Sequence, residues 1–282
     1  MKVAILNISI GSYVVFWEGF YKSAEQYFLP GCEKHYFVYT DKKNLYASNS
    51  SNITILYQED MGWPFNTMKR FAMFKRCERE LTKFDYVFFV NGNAEFKQVI
   101  NESFINYKKD LITIVHPGMS NTKIDKVPYE RREESNAFVK TGKGNYYVQG
   151  AFIGGKSDAF IKMIDELDIL IEEDLKNGII AVWHDESFLN KYIIDRNDVQ
   201  IAGRQYLYYE EVVFPWKPFI LLRDKSKYIE KTNGRFAGRY SKKIKAKLWA
   251  RNIIWTILIK LKIKKEFLNY SKEKYVDMDL MV

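Results

Sequence analysis

In the stretch Tyr86-Val87-Phe88-Phe89-Val90-Asn91-Gly92-Asn93, five apolar residues run directly into a polar turn. An uninterrupted apolar run of this length is typical of a strand that is buried on both faces. In open α/β sheets, ligands bind beyond the carboxyl ends of the strands. The turn is therefore a candidate ligand-facing position, and its side chains are two neutral amides with no carboxylate.

Strand and helix patterns alternate along most of the chain. Apolar runs predict strands at residues 2–8, 35–39, 53–57, 85–90 and 111–115. Helical spacing predicts helices at residues 16–28, 66–81, 160–175 and 183–192, with Asn66 as the amino-terminal cap of the second. This alternation predicts an α/β fold in which a mostly parallel central sheet carries helices on its faces.

Length and composition indicate a folded domain with a substantial core. The chain has 282 residues, of which 47% are hydrophobic and 16% aromatic. Its two cysteines are too few for a disulfide framework, and no signal-peptide pattern follows Met1, so a cytoplasmic location is expected. The longest uncharged apolar run near the carboxyl end, residues 252–259, is far shorter than the roughly 20 residues that span a bilayer.

The net charge of +9 is concentrated near the carboxyl end. Residues 225–282 contain 16 Lys or Arg and 5 Asp or Glu, whereas residues 1–224 contain 28 basic and 30 acidic residues. A nucleic-acid enzyme would more often spread basic residues around its active groove, so no nucleic-acid partner is expected. The basic segment carries Trp249 and Trp255 among Ile and Leu, which is typical of a helix lying in an anionic membrane interface. The alternative is a basic helix packed on the core.

The densest group of functional side chains is Trp183-His184-Asp185-Glu186. Two acids at a helix start are kept ionised by the helix dipole, and ionised carboxylates can stabilise an oxocarbenium-like centre. From spacing alone, ordinary first-turn acids beside a core tryptophan are the commoner explanation of such a pattern.

Three other patterns leave a functional and a structural interpretation open. His116, at a strand end before Pro117-Gly118, either presents its imidazole to a ligand or is a structural histidine. The sequence Tyr129-Glu130-Arg131-Arg132 either binds an anion or forms a solvated turn. Gly150 and the pair Gly154-Gly155 allow a backbone either to approach a ligand or to pack tightly.

Taken in order, these motifs resemble glycosyltransferase family 6, which includes the histo-blood-group A and B transferases and the α-1,3-galactosyltransferases. The resemblance covers about residues 2 to 227, with nearly constant spacing between His116 and Tyr192. The matching stretches are Tyr21-Lys22-Ser23-Ala24-Glu25-Gln26-Tyr27-Phe28, Tyr36-Phe37-Val38-Tyr39-Thr40-Asp41, Met68-Lys69-Arg70, Asp85-Tyr86 with Asn91-Gly92-Asn93, His116-Pro117-Gly118, Tyr129-Glu130-Arg131-Arg132, Gln149-Gly150-Ala151-Phe152-Ile153-Gly154-Gly155, Ala181-Val182-Trp183-His184-Asp185-Glu186-Ser187 with Leu189-Asn190-Lys191-Tyr192, and Tyr206-Leu207.

The resemblance implies a single GT-A-type nucleotide-sugar-binding domain at residues 1–227 and a retaining hexosyltransferase. Such an enzyme moves galactose from UDP-galactose in α-1,3 linkage to an acceptor galactose, which is either fucosylated or not. Glu186 matches the catalytic nucleophile or transition-state stabiliser, Asp185 a donor-sugar contact, and His116, Trp183 and Glu186 acceptor contacts. The donor-binding residues that the resemblance implies are Ile8, Ser9, Ile10, Tyr13, Arg70, Asn91, Gly92, Asn93, Gln149, Gly150, Ala151 and Lys225.

Two departures from the mammalian members refine this expectation. Those members carry Asp-x-Asp where this chain has Asn91-Gly92-Asn93, and hard divalent cations prefer carboxylate oxygens. Because an amide can donate directly to a phosphate oxygen, a metal-independent enzyme without cofactors is expected, with Arg70 and Lys225 neutralising the diphosphate. Ala151 stands where a methyl group crowds an N-acetyl group and favours UDP-galactose, whereas Gln149 matches neither common mammalian residue and leaves UDP-GalNAc open.

Residues 228–282 lie outside the resemblance. They are predicted to form a basic amphipathic helical tail that holds the enzyme at the inner face of the membrane, near a lipid-linked glycan acceptor. Two other classes stay open, a non-catalytic basic membrane-binding protein and a family member that binds sugar without transferring it. The near-neutral body argues against the first class, and the intact block from Trp183 to Glu186 argues against the second.

Overall fold

The computed structural model describes residues 1–212 and 217–229 and, nearer the carboxyl end, Trp249, Ala250, Ile253 and Ile257. The strands are β1 (Lys2–Ile8), β2 (Glu33–Thr40), β3 (Ile53–Tyr57), β4 (Tyr86–Val90), β5 (Ala94–Phe96), β6 (Leu111–Val115), β7 (Val148–Lys156), β8 (Val199–Ala202), β9 (Leu207–Tyr209) and β10 (Ile220–Leu222). The helices are α1 (Trp17–Tyr27), α2 (Phe65–Met68), α3 (Arg70–Lys75), α4 (Glu78–Leu81), α5 (Ser157–Lys176), α6 (Asp185–Ile193) and α7 (Lys225–Tyr228).

The main sheet has seven strands in the order β3-β2-β1-β4-β7-β6-β8. β7 runs antiparallel to both of its neighbours, and all other neighbouring strands in this sheet are parallel. The register places Phe89 of β4 beside Leu6 of β1 on one side and beside Ile153 of β7 on the other. The predicted α/β class with a mostly parallel central sheet is confirmed, and the carboxyl ends of β1 and β4 meet at one edge.

The central strands are apolar throughout because both faces of the sheet are covered. All five residues of β4 and all five of β6 are buried. One face packs on α1 through Trp17 and Phe20, and the other packs on α3 and α5 through Phe74 and Phe160. Full burial of one large apolar side chain stabilises the fold by roughly 1.5–3 kcal/mol, so the sheet gives the strand ends a rigid base.

A second sheet of three strands brings the chain after residue 217 back to the Asn91 turn. Its order is β5-β10-β9, with β10 antiparallel to β5 and parallel to β9. Just beyond β10, the Arg223 N–H donates to the carbonyl oxygen of Asn93 at 2.9 Å. This sheet therefore places residues 223–228 next to the turn that follows β4.

The continuous helix predicted at residues 66–81 is wrong. Three short helices, α2, α3 and α4, occupy this region, separated at Lys69 and Cys77, whose φ/ψ angles are −86°/11° and −118°/20°. Asn66 does not cap a helix, because its Nδ2 donates to Asp60 at 2.6 Å and its Oδ1 accepts from the Met61 N–H at 3.0 Å. The change of direction at Lys69 makes Arg70 the first residue of a new helix.

Most of the tail predicted at residues 228–282 lies outside the described residues. Trp249, Ala250, Ile253 and Ile257 are helical and exposed. Within the described part of the chain, every helix is too short or too polar to cross a bilayer.

Candidate active site

A cleft of about 580 Å³ opens at the carboxyl ends of β1 and β4. Six residues predicted to bind the donor line it, and they come from four separate segments of the sequence: Ile8, Ile10, Tyr13, Arg70, Asn91 and Lys225. Four further residues line it that the sequence did not indicate: Trp63, Asn66, Thr67 and Phe89. Asn66 and Thr67 lie four and three residues before Arg70, and this spacing was the signal that could have identified them.

The Asn91 turn is held in shape by its own side chains. Asn91 Nδ2 donates to Asn93 Oδ1 at 2.8 Å, and Asn93 Nδ2 donates to the carbonyl oxygen of Arg223 at 2.8 Å. A Cβ at Gly92 would lie 2.7 Å from the carbonyl oxygen of Ile8, so glycine lets the turn approach β1 closely. Asn93 is buried and Asn91 is half-buried, so Asn91 is the amide of the turn that lines the cleft.

Arg70 makes four contacts at the base of the cleft, one of which is the hydrogen bond that its Nε donates to the Thr67 carbonyl oxygen at 3.3 Å. Its Nη2 lies 2.8 Å from Oδ2 of Asp185, and its Nη1 donates to the carbonyl oxygen of Gly150 at 2.5 Å. Its guanidinium carbon lies 4.6 Å from the centre of the Phe89 ring. Arg70 is 7% exposed and Asp185 is 1% exposed, so little water screens this ion pair. The charge of Arg70 is therefore largely engaged by Asp185.

Burial makes both acids at the start of α6 harder to ionise. It raises the pKa of Asp185 to about 7, with the Arg70 guanidinium opposing the shift and Glu186 adding to it. Neither oxygen of Asp185 accepts an aligned hydrogen bond from the residues that the structure describes. Burial also raises the pKa of Glu186, opposed by the hydrogen bond that its Oε2 accepts from the Gly150 N–H at 2.8 Å. Desolvation thus outweighs the helix-dipole effect expected from the sequence.

Gly150 of β7 connects the sheet to both acids and to Arg70. Its N–H donates to Glu186 and its carbonyl oxygen accepts from Arg70. A Cβ at this position would lie 3.4 Å from Oδ2 of Asp185 and 3.4 Å from Cβ of Glu186. The strand and the first turn of α6 therefore meet across a gap into which a larger side chain would project.

Aromatic residues form a rim beside the acids. Trp183 is 48% exposed, which excludes the core position that the spacing alone favoured. The backbone N–H of Trp183 donates to Ser187 Oγ at 3.0 Å. His184 has φ 54° and ψ −133°, which is uncommon for a residue other than glycine, and its ring meets the Trp63 ring edge-on at 4.8 Å. Trp63 thus gives the cleft an exposed apolar border, and Trp183 is exposed in the loop just before the acids.

Lys225 lies on the β1 side of the cleft. Its Nζ is 4.9 Å from the centre of the Tyr13 ring, and no carboxylate within the described residues pairs with it. Glu210 fastens the segment that carries it by accepting from the Asp224 N–H at 2.7 Å, Lys227 Nζ at 3.0 Å and the Tyr228 hydroxyl at 3.2 Å. In contrast to Arg70, Lys225 has its charge available to a ligand.

His116 belongs to a polar chain with two other residues. Its Nδ1 accepts from the Gly118 N–H at 3.1 Å, and its Nε2 lies 3.2 Å from the Tyr209 hydroxyl. That hydroxyl is 3.0 Å from Nε2 of Gln149. Because Nδ1 is an acceptor, a neutral ring carries its proton on Nε2 and donates it to Tyr209. Gln149 is buried, and its Oε1 accepts no hydrogen bond from the described residues.

Two of the predicted donor-binding residues lie behind the cleft wall. Ser9 is buried, and its Oγ donates to Asn7 Oδ1 at 2.7 Å. Ala151 is buried, and its carbonyl oxygen accepts from the Asn91 N–H at 2.9 Å. Ala151 therefore supports the turn from behind.

The family model described as Glycosyltransferase family 6 matches residues 1–228. The chain is 36% identical over 193 residues to the O-antigen biosynthesis glycosyltransferase WbnI of Escherichia coli, a match that covers 68% of this chain and 82% of that protein.

Two mammalian proteins are more distant relatives. The identity is 27% over 218 residues with globoside alpha-1,3-N-acetylgalactosaminyltransferase 1 of Homo sapiens, covering 74% of this chain and 61% of that protein. It is 26% over 216 residues with histo-blood group ABO system transferase 1 of Rattus norvegicus, covering 75% of this chain and 62% of that protein. The chain thus spans less than two thirds of the length of these mammalian relatives.

Proposed function

The chain belongs to glycosyltransferase family 6, and on this premise we propose that it is a retaining enzyme that transfers galactose from UDP-galactose in α-1,3 linkage to an acceptor galactose. Family membership itself implies a nucleotide-sugar donor and a glycan acceptor. The observation that carries the proposal is the pair Asp185 and Glu186, held against Arg70 and Gly150 close to the cleft. The cleft volume of about 580 Å³ falls within the range usual for small-molecule sites.

The cleft is lined by both apolar and polar side chains, which suits the two halves of UDP. Ile8, Ile10 and Tyr13 supply an apolar wall for the uracil and ribose. Asn91 and Lys225 supply an amide and an ammonium group for the diphosphate. The diphosphate therefore lies beyond the ends of β1 and β4, where α/β sheets commonly bind nucleotides.

Glu186 is the residue that acts at the anomeric carbon. It either attacks that carbon to form a covalent glycosyl-enzyme or stabilises the cationic centre while the acceptor hydroxyl attacks from the side that UDP leaves. Both routes retain the configuration, and both need an ionised carboxylate beneath the sugar. The Gly150 N–H holds one oxygen of Glu186 in place, which orients the carboxylate before the substrates bind.

The reaction proceeds without a metal ion. Asn91 and Asn93 present no carboxylate, and Asn93 Nδ2 is already taken by the backbone of Arg223. Within the described residues, no three His, Cys, Asp or Glu side chains are grouped as metal ligands. A positive and a negative unit charge 4 Å apart attract each other by about 4 kcal/mol at a surface-like dielectric. The Lys225 ammonium can therefore stabilise the negative charge of the diphosphate by a useful amount. Arg70 contributes less than the sequence suggests, because Asp185 engages it.

UDP-galactose is the donor that the residues favour, and UDP-GalNAc is the alternative. Ala151 stands where the family resemblance places a methyl group that crowds an N-acetyl group, and in the structure this residue is buried behind the turn. The names of the relatives include both an O-antigen glycosyltransferase and an α-1,3-N-acetylgalactosaminyltransferase, so they favour α-1,3 transfer to a surface glycan without deciding the sugar. The natural acceptor is a galactose of a glycan precursor on a lipid carrier, and the basic tail brings the enzyme to the membrane surface.

One assay tests the donor, the linkage and the metal requirement together. The full chain is incubated with UDP-galactose or UDP-GalNAc and a β-galactoside acceptor, with and without EDTA, and UDP release and product anomer are measured. We expect faster turnover of UDP-galactose, an α-1,3 product and no effect of EDTA. Preference for UDP-GalNAc would overturn the donor assignment, and loss of activity in EDTA with recovery in Mn²⁺ would overturn the metal-free mechanism. Binding of UDP without turnover of either donor would indicate a sugar-binding protein instead.

A further inference from the structure

Glu130 lies at the centre of the segment Tyr129-Glu130-Arg131-Arg132 and is 2% exposed. Its Oε1 accepts from the backbone N–H groups of Arg131 and Arg132, each at 3.0 Å, and from Arg132 Nε at 2.9 Å. Its Oε2 accepts from Arg132 Nη2 at 2.7 Å and from the Val182 N–H at 2.8 Å. Five donors thus saturate the carboxylate. The interpretation of this segment as a solvated turn is therefore wrong.

The Glu130–Arg132 pair holds the loop before α6 at two points. Glu130 accepts from the Val182 N–H, and Arg132 Nη2 donates to the carbonyl oxygen of Ile180 at 2.6 Å. The two bonds use alternate residues of one loop edge, as a neighbouring strand would. Directly after Val182 come Trp183 and the first residues of α6.

The loop is held on both sides: Glu130 and Arg132 bind it before Trp183, and Arg70 and Gly150 bind the first residues of α6 after it. The hydrogen bonds from the His184 N–H to the Ala181 carbonyl oxygen and from the Trp183 N–H to Ser187 Oγ are local to the loop and α6. Local bonds fix the shape of the loop but not its position relative to the rest of the site. His184 also has a positive φ of 54°, and such a conformation persists only where the surrounding structure enforces it.

We propose that Glu130 and Arg132 are positioning residues of the transferase, because their clamp on Ile180 and Val182 holds Trp183 in place for the acceptor. This inference rests on the proposed function for the role of Trp183, whereas the clamp itself is independent of it. The Arg132 guanidinium lowers the pKa of Glu130 to about 2, so the carboxylate is ionised throughout the neutral range and the clamp is permanent.

Glu130→Gln tests the clamp at almost constant shape. A glutamine has one acceptor oxygen, and that oxygen serves the three donors at the Oε1 position. Its NH₂ group then faces the Val182 N–H and Arg132 Nη2, neither of which it can accept from. Glu133→Gln is the matched control. It removes the same charge from a side chain that is exposed and lies three residues after Glu130 in the sequence.

Two readouts separate the clamp from the reaction. Hydrogen exchange of the Val182 amide should accelerate by about tenfold in Glu130→Gln, the effect expected from loss of one buried charge-assisted hydrogen bond of about 1.4 kcal/mol. The KM for the β-galactoside acceptor should rise by about fivefold or more. The KM for the UDP-sugar, and the rate at which the enzyme slowly transfers the sugar to water, should stay within about twofold of the values for the parent chain. Glu133→Gln should change neither quantity.

Arg132→Lys is the second variant, for the case in which Glu130→Gln does not fold. It keeps the charge but loses the fork that bridges Glu130 and Ile180, so it should raise the acceptor KM in the same direction. Unchanged Val182 exchange in Glu130→Gln would refute the clamp. Faster exchange with an unchanged acceptor KM would refute the positioning role. If the parent chain transfers no sugar, the proposed function fails, and the exchange measurement still decides whether the clamp exists.

Discussion

Glu186 and Asp185 are adjacent in sequence but differ in what their oxygens contact. Asp185 is buried beside Arg70, and its charge is engaged there. Glu186 is half-buried, its Oε2 is held by the Gly150 N–H, and the neighbouring Tyr147 hydroxyl stabilises its charged form. A half-buried carboxylate held in this way suits the group that meets the anomeric carbon, whereas the buried Asp185 suits a structural and donor-orienting role.

Glu186→Gln should lower kcat by about a hundredfold or more, because the amide cannot stabilise the developing positive charge as the carboxylate does. UDP binding should stay nearly intact, since the cleft that holds the nucleotide is unchanged. Steady-state kinetics and calorimetric titration of UDP measure the two effects, with Glu166→Gln, at an exposed position of α5, as the control. Near-normal turnover in Glu186→Gln would remove this residue from its role.

Activity should depend on pH through these same acids. Because the pKa of Asp185 is raised to about 7 and that of Glu186 is raised as well, kcat should fall as the pH drops below about 7. The stability of the fold should depend on pH in the opposite direction. The folded state binds these protons more tightly than the unfolded chain, so stability should rise as the pH falls from about 7 towards 4 and decline in the other direction. Rate profiles and thermal unfolding between pH 5 and 8 measure both trends, and a kcat that is flat below pH 7 contradicts the assignment.

The end of a buried strand identified Asn91 as a cleft residue, and the family resemblance identified Ile8, Ile10 and Tyr13. It did not identify Trp63, which enters from a loop with no periodic pattern. It also could not show that Asp185 would lose its water and pair with Arg70, since desolvation depends on the tertiary packing around both groups. Local sequence predicted ionised acids, and burial changed their pKa.

Among the elements, the long central strands and α5 were predictable and the short pieces were not. Met68, Phe71 and Phe74 are all buried and are spaced as in one helix, so the sequence pattern runs straight through the interruption at Lys69. The strands β5, β9 and β10 have three residues each, too few to show alternation. Their pairing is non-local, and it is this pairing that brings Lys225 to the cleft.

The pair Gly154-Gly155 is explained by packing in β7 rather than by a ligand. A Cβ at Gly154 would lie 2.1 Å from Cδ1 of Phe88, and one at Gly155 would lie 2.4 Å from the carbonyl oxygen of Asp110. Phe88 has little room to move, because its ring packs against Phe28 at 5.1 Å and Phe152 at 5.8 Å between ring centres.

Gly154→Ala should therefore destabilise the fold by about 1–3 kcal/mol, the usual cost of overpacking a core. Denaturant unfolding measures the change. Gly31→Ala is the matched control, because a Cβ there meets its nearest atom, Glu102 Oε1, at 3.8 Å and the position is exposed. Equal stability of the two variants would show that the Phe88 ring can move aside to make room for the added methyl group.

Over the whole molecule, charge and apolar exposure divide the chain into two parts. Residues 1–224 are close to neutral, and residues 225–282 contain 16 basic and 5 acidic residues. Trp249, Ile253 and Ile257 are exposed helical residues four apart, which is the sequence spacing of one helix face. An apolar face with many neighbouring lysines in the sequence is the combination that binds anionic lipid surfaces.

The triple substitution of Trp249, Ile253 and Ile257 to Ser should therefore weaken binding to anionic liposomes by about tenfold or more and leave turnover of a soluble acceptor unchanged, because none of the three residues lines the cleft. Co-sedimentation with liposomes containing phosphatidylserine measures the binding. Tyr57→Ser, which removes a 69% exposed aromatic ring from β3, is the control for the loss of any surface aromatic group. Each Lys or Arg near such a surface contributes on the order of 1 kcal/mol, so binding of the parent chain should also weaken with added salt. Equal binding of the triple variant and the parent chain would show that these three side chains are not the membrane contact.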